Sequence, residues 1–259
     1  MKNNTMDYDS QYTLIELTNH CNYRCPMCPQ AIKNGMGKKG FMTFETFKNI
    51  IDSLPRKTKP NAIKPFWLGE PMLHPEFNKF LSYAAEKFSN PIGKEYIVFD
   101  TNGSRMDKSV SEVLLKYGNV MPLFTVSLDA INEKTYEKIR IGGNFKQVME
   151  NINYFLKKRY ELKKISPKIV LQFILMQQNA DEVLEFIEYW KALLKRYYVP
   201  GNDYHKDVIW IKRRDDPNAE KQEKWDKFFL EEIKKQNLSS QDLGYAKIEV
   251  VLANDWNEK

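Results

Sequence analysis

Six short β-rich runs, separated by longer stretches of helical period, constrain this chain more than any other feature. The runs are residues 12–17 (YTLIEL), 63–68 (IKPFWL), 96–99 (YIVF), 123–128 (LFTVSL), 168–175 (KIVLQFIL) and 208–212 (VIWIK). Between them, residues 43–54, 76–88, 108–117, 145–162 and 180–197 carry apolar side chains three or four apart, the spacing of a helix with one buried face. Phe145, Val148, Met149, Ile152 and Leu156 form one such stripe. Strands that alternate with helices pair in parallel through right-handed crossovers. Six units in about 200 residues fall short of the roughly 250 typical of a closed eight-fold barrel. The fold class is therefore α/β, either an open, incomplete (β/α)6 barrel or a doubly wound sheet. In both, chemistry belongs beyond the carboxyl ends of the strands. After residue 212 the pattern changes: 213–218 reads as a charged linker, 219–236 as an amphipathic helix and 247–252 (KIEVVL) as one more strand. The division expected is a core domain over 1–212 and a short α+β extension over 213–259.

A chain of 259 residues that is 42% hydrophobic can bury a core without disulfides. Its three cysteines, Cys21, Cys25 and Cys28, are odd in number and clustered, which excludes a disulfide framework. The first ten residues, MKNNTMDYDS, are too polar for a secretory signal, so a reducing, cytoplasmic location is expected. No apolar run approaches the roughly 18 residues of a membrane span. The net charge is 40 − 34 = +6. Part of the excess gathers in the Gly-rich stretch 33–40, with Lys33, Lys38 and Lys39 and no acid. Such a loop can attract an anion, although solvated surface lysines are the plainer reading. No longer basic stripe points to nucleic acid.

The chemistry concentrates directly after the first run, in Leu17-Thr-Asn-His-Cys21-Asn-Tyr-Arg-Cys25-Pro-Met-Cys28-Pro. Three thiolates on one short loop can converge on a soft metal centre. A structural zinc site would need a fourth ligand, and His20 is adjacent, yet there is no second Cys/His pair at zinc-finger spacing. A thiol–disulfide motif at Cys25-Pro-Met-Cys28 leaves Cys21 unused. A four-iron cubane usually takes four thiolates; with three, one iron keeps an open position, and open positions are where substrates bind.

The spacing Cys-x3-Cys-x2-Cys after a first strand resembles the signature of the radical S-adenosylmethionine (SAM) superfamily. Further segments resembling that superfamily follow in order, each after a predicted strand. Gly69-Glu70-Pro71 is similar to the segment that holds the amino group of the SAM methionine. Thr101-Asn102-Gly103 follows the third strand. Ser127-Leu128-Asp129 matches the ribose-side and carboxylate-side contacts, with Arg140-Ile141-Gly142-Gly143 a short helix later. Gln177-Gln178-Asn179 follows the fifth strand, where relatives place groups near the nucleoside. Taken singly each of these also reads as an ordinary turn or N-cap; together they fall on one face of the sheet. Met27 stands where the superfamily often has an aromatic residue near the adenine, and methionine packs adaptably enough to replace it.

The resemblance covers about residues 10–212 and implies a TIM-like open barrel, a [4Fe-4S] cluster on Cys21, Cys25 and Cys28, and SAM chelated at the unligated iron. It implies reductive cleavage of SAM to a 5′-deoxyadenosyl radical that abstracts a substrate hydrogen, with an external electron donor such as flavodoxin or ferredoxin. Within it Glu70 is ionised to accept from the methionine ammonium, Ser127 and Asp129 accept from ribose hydroxyls, and Arg140 pairs with the methionine carboxylate; Gly69, Pro71, Asn102, Asn179 and Met27 complete the cofactor contacts.

The motif style is most similar to the SPASM/twitch branch, whose members carry auxiliary clusters on a cysteine-rich extension. There is no cysteine after Cys28, so either that extension is lost or the chain stops before it. The substrate expected is a small molecule or peptide: a peptide or protein side chain, or an amino-sugar. A glycyl-radical-enzyme activase and a non-enzymatic zinc- or iron-binding module remain alternatives. Tyr197, Tyr198, Tyr204, His205 and Trp210 cluster near the sixth strand and either line a cavity or fill a core. His74 and His205 have no ligand-spaced partner and read as structural.

Overall fold

The computed structural model describes residues 12–32, 38–54, 61–89, 95–201 and 206–251. Leu252, Lys33, Tyr204, His205 and the first ten residues lie outside them.

The strands are β1 (Tyr12–Leu14), β2 (Asn61–Lys64), β3 (Glu95–Ile97), β4 (Asp100–Thr101), β5 (Leu123–Ser127), β6 (Lys168–Leu175), β7 (Asp207–Arg213), β8 (Gln241–Asp242) and β9 (Ala246–Val251). The helices are α1 (Pro29–Ile32), α2 (Phe44–Ser53), α3 (Phe77–Phe88), α4 (Lys108–Lys116), α5 (Glu133–Ile139), α6 (Phe145–Glu161), α7 (Val183–Arg196) and α8 (Ala219–Lys235). Caps start most of the longer helices where the sequence supplies them: Thr43, Asp107, Asn132, Asn144 and Asn218 each accept from a backbone N–H in the first turn, satisfying donors a helix leaves orphaned.

β1, β2 and β3 pair in parallel, and so do β4, β5, β6, β7 and β9, with β8 as a short antiparallel edge. The two groups are one curved sheet. β3 and β4 are halves of a single run interrupted at Val98–Phe99; there the Val98 N–H still donates to Ile63 (3.1 Å) and the Thr125 N–H to Phe99 (2.9 Å). Helices cover the outer face, giving the open α/β barrel that the alternation predicts. Two strands are shorter than their apolar runs: β1 stops at Leu14 and β2 at Lys64, where Pro65 removes a ladder donor. β9 joins the barrel beside β7, so the helix-and-strand tail continues the same sheet, and β7 itself runs to Arg213.

Alternation along the strands separates two faces. Outward residues meet the helices through aromatic contacts: Phe77–Phe99 (6.0 Å between centroids), Phe99–Phe124 (5.6 Å), Phe124–Phe155 (5.1 Å) and Phe173–Phe186 (4.8 Å). On β7 the buried outward set is Asp207, Ile209, Ile211 and Arg213, whereas Val208, Trp210 and Lys212 are half-buried and face the lumen. Tyr197 and Tyr198 belong to aromatic packing, on Tyr160 (6.1 Å) and Tyr245 (6.4 Å), so of the described members of that cluster only Trp210 reaches the lumen. Among the described residues no helix is long and apolar enough to cross a membrane.

One buried charge pair ties α6 to β7. Arg159 Nη1 and Nη2 donate to Asp207 at 2.7 and 2.5 Å, and the Ile169 N–H and the Pro167 carbonyl complete the group. Both side chains are 2% exposed. Removing one partner strands the other charge in a water-free site. Asp207→Ala is therefore expected to lose about 3–5 kcal/mol of stability, measured as a fall in the urea midpoint; Lys48→Met, which breaks a surface pair with Asp52, should leave the midpoint nearly unchanged.

Candidate functional site

The loop leaving β1 carries the three cysteines over the carboxyl end of the sheet. Cys25 is buried, and Cys21 and Cys28 are half-buried. The loop folds on itself: Cys28 N–H donates to the Cys25 carbonyl (3.0 Å) and Tyr23 N–H to Cys21 Sγ (3.4 Å). Two neighbours fix it from outside. Glu70 N–H donates to the His20 carbonyl (2.8 Å), and Arg24 N–H to Ile141 (2.8 Å). Gly142 is required at the second contact, because its φ is +90° and a Cβ there would stand 2.8 Å from the Asn22 carbonyl oxygen.

Burial pushes the Cys21 thiol up to about 11; the Tyr23 N–H opposes this, while negative charge on Glu70, Cys25 and Cys28 adds to it. Cys25 is also raised by burial, with Arg140 working against it. Three mutually repelling thiolates need a cation among them, and metal binding is what deprotonates such a set. Among the described residues no three His, Cys, Asp or Glu side chains close tightly enough on a single ion. Three thiols on one loop are the donor set of a soft metal centre, and a cubane takes one thiolate on each of its irons. Donors already point at the sulfurs: Arg140 Nη1 lies 3.7 Å from Cys25 Sγ and Asn102 Nδ2 4.0 Å from Cys21 Sγ.

Glu70 sits beneath Cys21, 3% exposed. Its Oε1 accepts from Thr101 Oγ1 (2.7 Å) and Met72 N–H (3.1 Å), and its Oε2 from Asn102 N–H (2.6 Å). Burial raises its carboxyl to about 7 despite these donors, so near neutrality it is divided between its two forms and not fully ionised. Gly69 is where the loop passes closest to the cysteine strand, since a Cβ would fall 1.9 Å from the Thr18 carbonyl oxygen. Pro71 opens a 3-10 turn over Pro71–Leu73.

Asp129 and Arg140 form a buried ion pair. Asp129 is fully buried, in the left-handed region at φ 62°, and its Oδ1 accepts from Ile174 N–H (2.7 Å). Burial raises its carboxyl while Arg140 opposes the rise; Arg140 itself is raised, its burial outweighed by Asp129 and Cys25. The carboxylate expected at the ribose is thus spent on the guanidinium and the β6 backbone. Asn179 is 1% exposed and is likewise consumed: it accepts from Met176 N–H (2.8 Å) and donates to the carbonyls of Asp129 (2.7 Å) and Ile174 (2.9 Å). Gln177 and Gln178 are exposed. Ser127 remains available on the inner face, its hydroxyl bonded to Gln172 Nε2 (3.1 Å). Met27 packs in the core with Cys25. His74 is structural: its Nδ1 accepts from Glu76 N–H (3.1 Å), so Nε2 donates to Met42 (2.9 Å). Lys39 donates to Asn19 (2.5 Å), a neighbour of the cysteine loop.

Sequence reasoning missed Glu16, whose Oε1 accepts from the N–H groups of Leu68 (2.9 Å) and Gly69 (3.3 Å). A lone acid inside the first apolar run was the available signal. It also missed Tyr23 and Tyr136, whose hydroxyls meet at 3.2 Å under the cysteine loop.

A family model described as the Radical SAM superfamily matches residues 15–189. Similar sequences include the GTP 3′,8-cyclase of Lactiplantibacillus plantarum, 29% identical over 71% of this chain and 53% of its own length. That of Haemophilus influenzae is 24% identical over 73% and 58%. The tungsten-containing aldehyde ferredoxin oxidoreductase cofactor-modifying protein of Pyrococcus furiosus is 24% identical over 69% and 48%. The chain thus spans about half the length of the curated relatives it matches. The fold is similar to anSMEcpe with bound AdoMet and the Cp18Cys peptide (TM-score 0.63, 19% identity, 88% of this chain and 59% of that one). It is also similar to Streptococcus suis SuiB bound to the precursor peptide SuiA (TM-score 0.59, 12%, 93% and 49%).

The raised Glu70 carboxyl has a testable sign. Its pKa is above the unfolded value of 4.5, so between pH 4.5 and 7 the native state holds more protons than the unfolded state and stability falls as pH rises. The loss is on the order of 3 kcal/mol, complete above pH about 7, and Glu70→Gln should flatten this part of the stability curve of the metal-free protein. Unfolding midpoints from pH 4 to 8, wild type against variant, measure it.

Proposed function

Because this chain belongs to the radical SAM superfamily, whose enzymes use a [4Fe-4S] cluster and SAM, we propose that Cys21, Cys25 and Cys28 hold its cluster and that the rim around them binds SAM for hydrogen abstraction from a peptide or protein side chain. The observation that carries the reading is the one loop of three mutually sensing thiols with the Arg140 guanidinium against Cys25 Sγ. Held by Cys21, Cys25 and Cys28, the cluster would supply the one-electron reduction of SAM on which hydrogen abstraction depends.

The residues of the chain bind, orient and exclude water. Arg140 neutralises charge on the Cys25 sulfur from a site where its field is poorly screened, and Asp129 holds the guanidinium in place. Glu70, at about 7, is poised to ionise when an ammonium arrives beside it, which pairs SAM binding with proton release. Its carboxylate also fixes the backbone of Thr101-Asn102, so its role is positioning as much as contact. Ser127, with Gln172 behind it, is the hydroxyl offered to the ribose. An external electron donor, flavodoxin or ferredoxin, completes the system. Two peptide-bound structures of similar fold favour the peptide substrate. The GTP 3′,8-cyclases among the relatives favour a nucleotide as the second reading.

Cys25→Ala is expected to abolish iron and acid-labile sulfide on anaerobic reconstitution and to stop 5′-deoxyadenosine formation; a variant that still forms it at the wild-type rate would sink the assignment. Asn102→Ala should leave iron loading intact and weaken SAM binding, read by equilibrium dialysis. Deuterium transfer from labelled peptides or from labelled GTP into 5′-deoxyadenosine separates the two substrate readings.

A further inference from the structure

The cysteine loop is closed at its base by one residue. The Asn19 carbonyl accepts from Gln30 Nε2 (2.8 Å) and from the Lys39 ammonium (2.5 Å). Asn19 stands two positions before Cys21 and Gln30 two past Cys28, so the first of these bonds closes a ring of chain, residues 19–30, that contains all three thiols. The Asn19 side chain ties down a second piece: its Nδ2 donates to the Lys38 carbonyl (3.0 Å) and its Oδ1 accepts from the Gly40 N–H (2.9 Å). Around it, Thr18 Oγ1 donates to the Gly40 carbonyl (2.8 Å), Met42 N–H donates to the Leu17 carbonyl (2.8 Å), and the Phe41 ring stacks on that of His20 (4.6 Å). Residues 38–42 are therefore a strap laid along residues 17–20, immediately before the first ligand.

The Gly-rich basic stretch thus does more than solvate. Lys38 is exposed, but Lys39 is half-buried and aimed at the base of the loop. Gln30 is 6% exposed, so the carbonyl that these two side chains share is shielded from water, and an acceptor there that loses its donors is costly to leave unpaired. Among the described residues no carboxylate stands within ion-pair distance of the Lys39 ammonium, which leaves its charge to act on its surroundings. Arg140 brings one cation to Cys25. Lys39 brings a second to the Cys21 end of the same loop.

We propose that Asn19, Gln30 and Lys39 form a clasp that holds the three-thiol loop in its metal-binding form before the metal arrives, and that Lys39, its charged member, favours the reduced state of the bound cluster. All three are positioning residues, acting through the chain that carries the ligands. A loop closed in advance has less freedom to lose when its ligands gather on a metal, and supports behind the ligands commonly change metal affinity by roughly 10- to 100-fold. A cation held close by in a poorly screened place favours the state with one more electron. The clasp stands on the geometry of the loop; the effect on reduction rests on the radical SAM reading.

Metal-free protein would be labelled with iodoacetamide under native conditions, and the rate at each cysteine read by mass spectrometry. Gln30→Leu and Lys39→Met should each speed the labelling of buried Cys25 by about tenfold, the effect of losing one buried hydrogen bond on a local opening. Lys39→Arg should keep most of the wild-type protection, and the urea midpoint should move little, because the clasp opens locally. After anaerobic reconstitution both variants should release iron to a chelator about tenfold faster. Only Lys39→Met should also shift the midpoint potential, toward more negative values, since Gln30→Leu removes no charge. Labelling unmoved by both variants, labelling that rises only in step with a fall in the urea midpoint, or a potential unmoved by Lys39→Met would overturn the proposal. Failure of the wild type to take up iron would instead remove the cofactor reading, and the labelling rates would still decide the clasp.

Discussion

The buried carboxylate of Glu70 is the constraint on which the rest of the rim depends. A loop carrying three soft ligands has no reason of its own to stay over the end of a sheet; it must be tied to strands that do not move. Glu70 makes that tie in two directions. Its N–H holds the His20 carbonyl, and its side chain gathers Met72, Thr101 and Asn102. Asn102 then turns its amide toward Asn22 (3.0 Å) and Cys21. The ends of β1, β2 and β4 are thereby locked through one residue, its backbone on one side and its carboxylate on the other. The cost is a carboxyl pushed to about 7, which is acceptable only because three donors surround it.

The opposite side of the loop is held by a second charge group with different physics. Arg140 and Asp129 are both buried, so their attraction is strong but so is the desolvation penalty, and such a pair contributes little net stability. What it supplies is a fixed positive charge beside Cys25, oriented before any cofactor arrives and needing no reorganisation afterwards. Asp129 adopts a left-handed backbone to reach this position, and Asn179 secures that backbone through the Asp129 carbonyl. Asp129 and Asn179 thus support Arg140 from behind.

How legible all this was in sequence depends on the range of the interaction. Periodicity placed the later elements closely, with β5, β6, α6 and α8 within two residues of their expected bounds, and the first strands less so, β1 and β2 ending three and four residues before their runs do. The metal-ligand loop was legible because its three ligands are local, eight residues end to end. Glu16, Tyr23 and Tyr136 were not, because their partners are 52 to 113 positions away and no spacing rule spans such distances. The protein partners of Asp129 and Asn179 were hidden for a related reason. A motif gives the identity of a side chain and its place at a strand end, but not its partners: Asp129 meets Arg140 and the Ile174 N–H, 11 and 45 positions away.

Alternation along the strands sets their two faces to different duties. Outward residues of the strands are committed to the helices: Asp207 to Arg159, Arg213 to Asp226, and the phenylalanines to one another. The rim is committed to holding three thiols and their counter-charge. One residue step along β4 separates the two faces: Thr101 bonds the Glu70 carboxylate, while Asp100 turns to the other side of the sheet. The contact that ties the rim and the side chain that faces inward are thus neighbours on one two-residue strand, and the pleat alone keeps them apart.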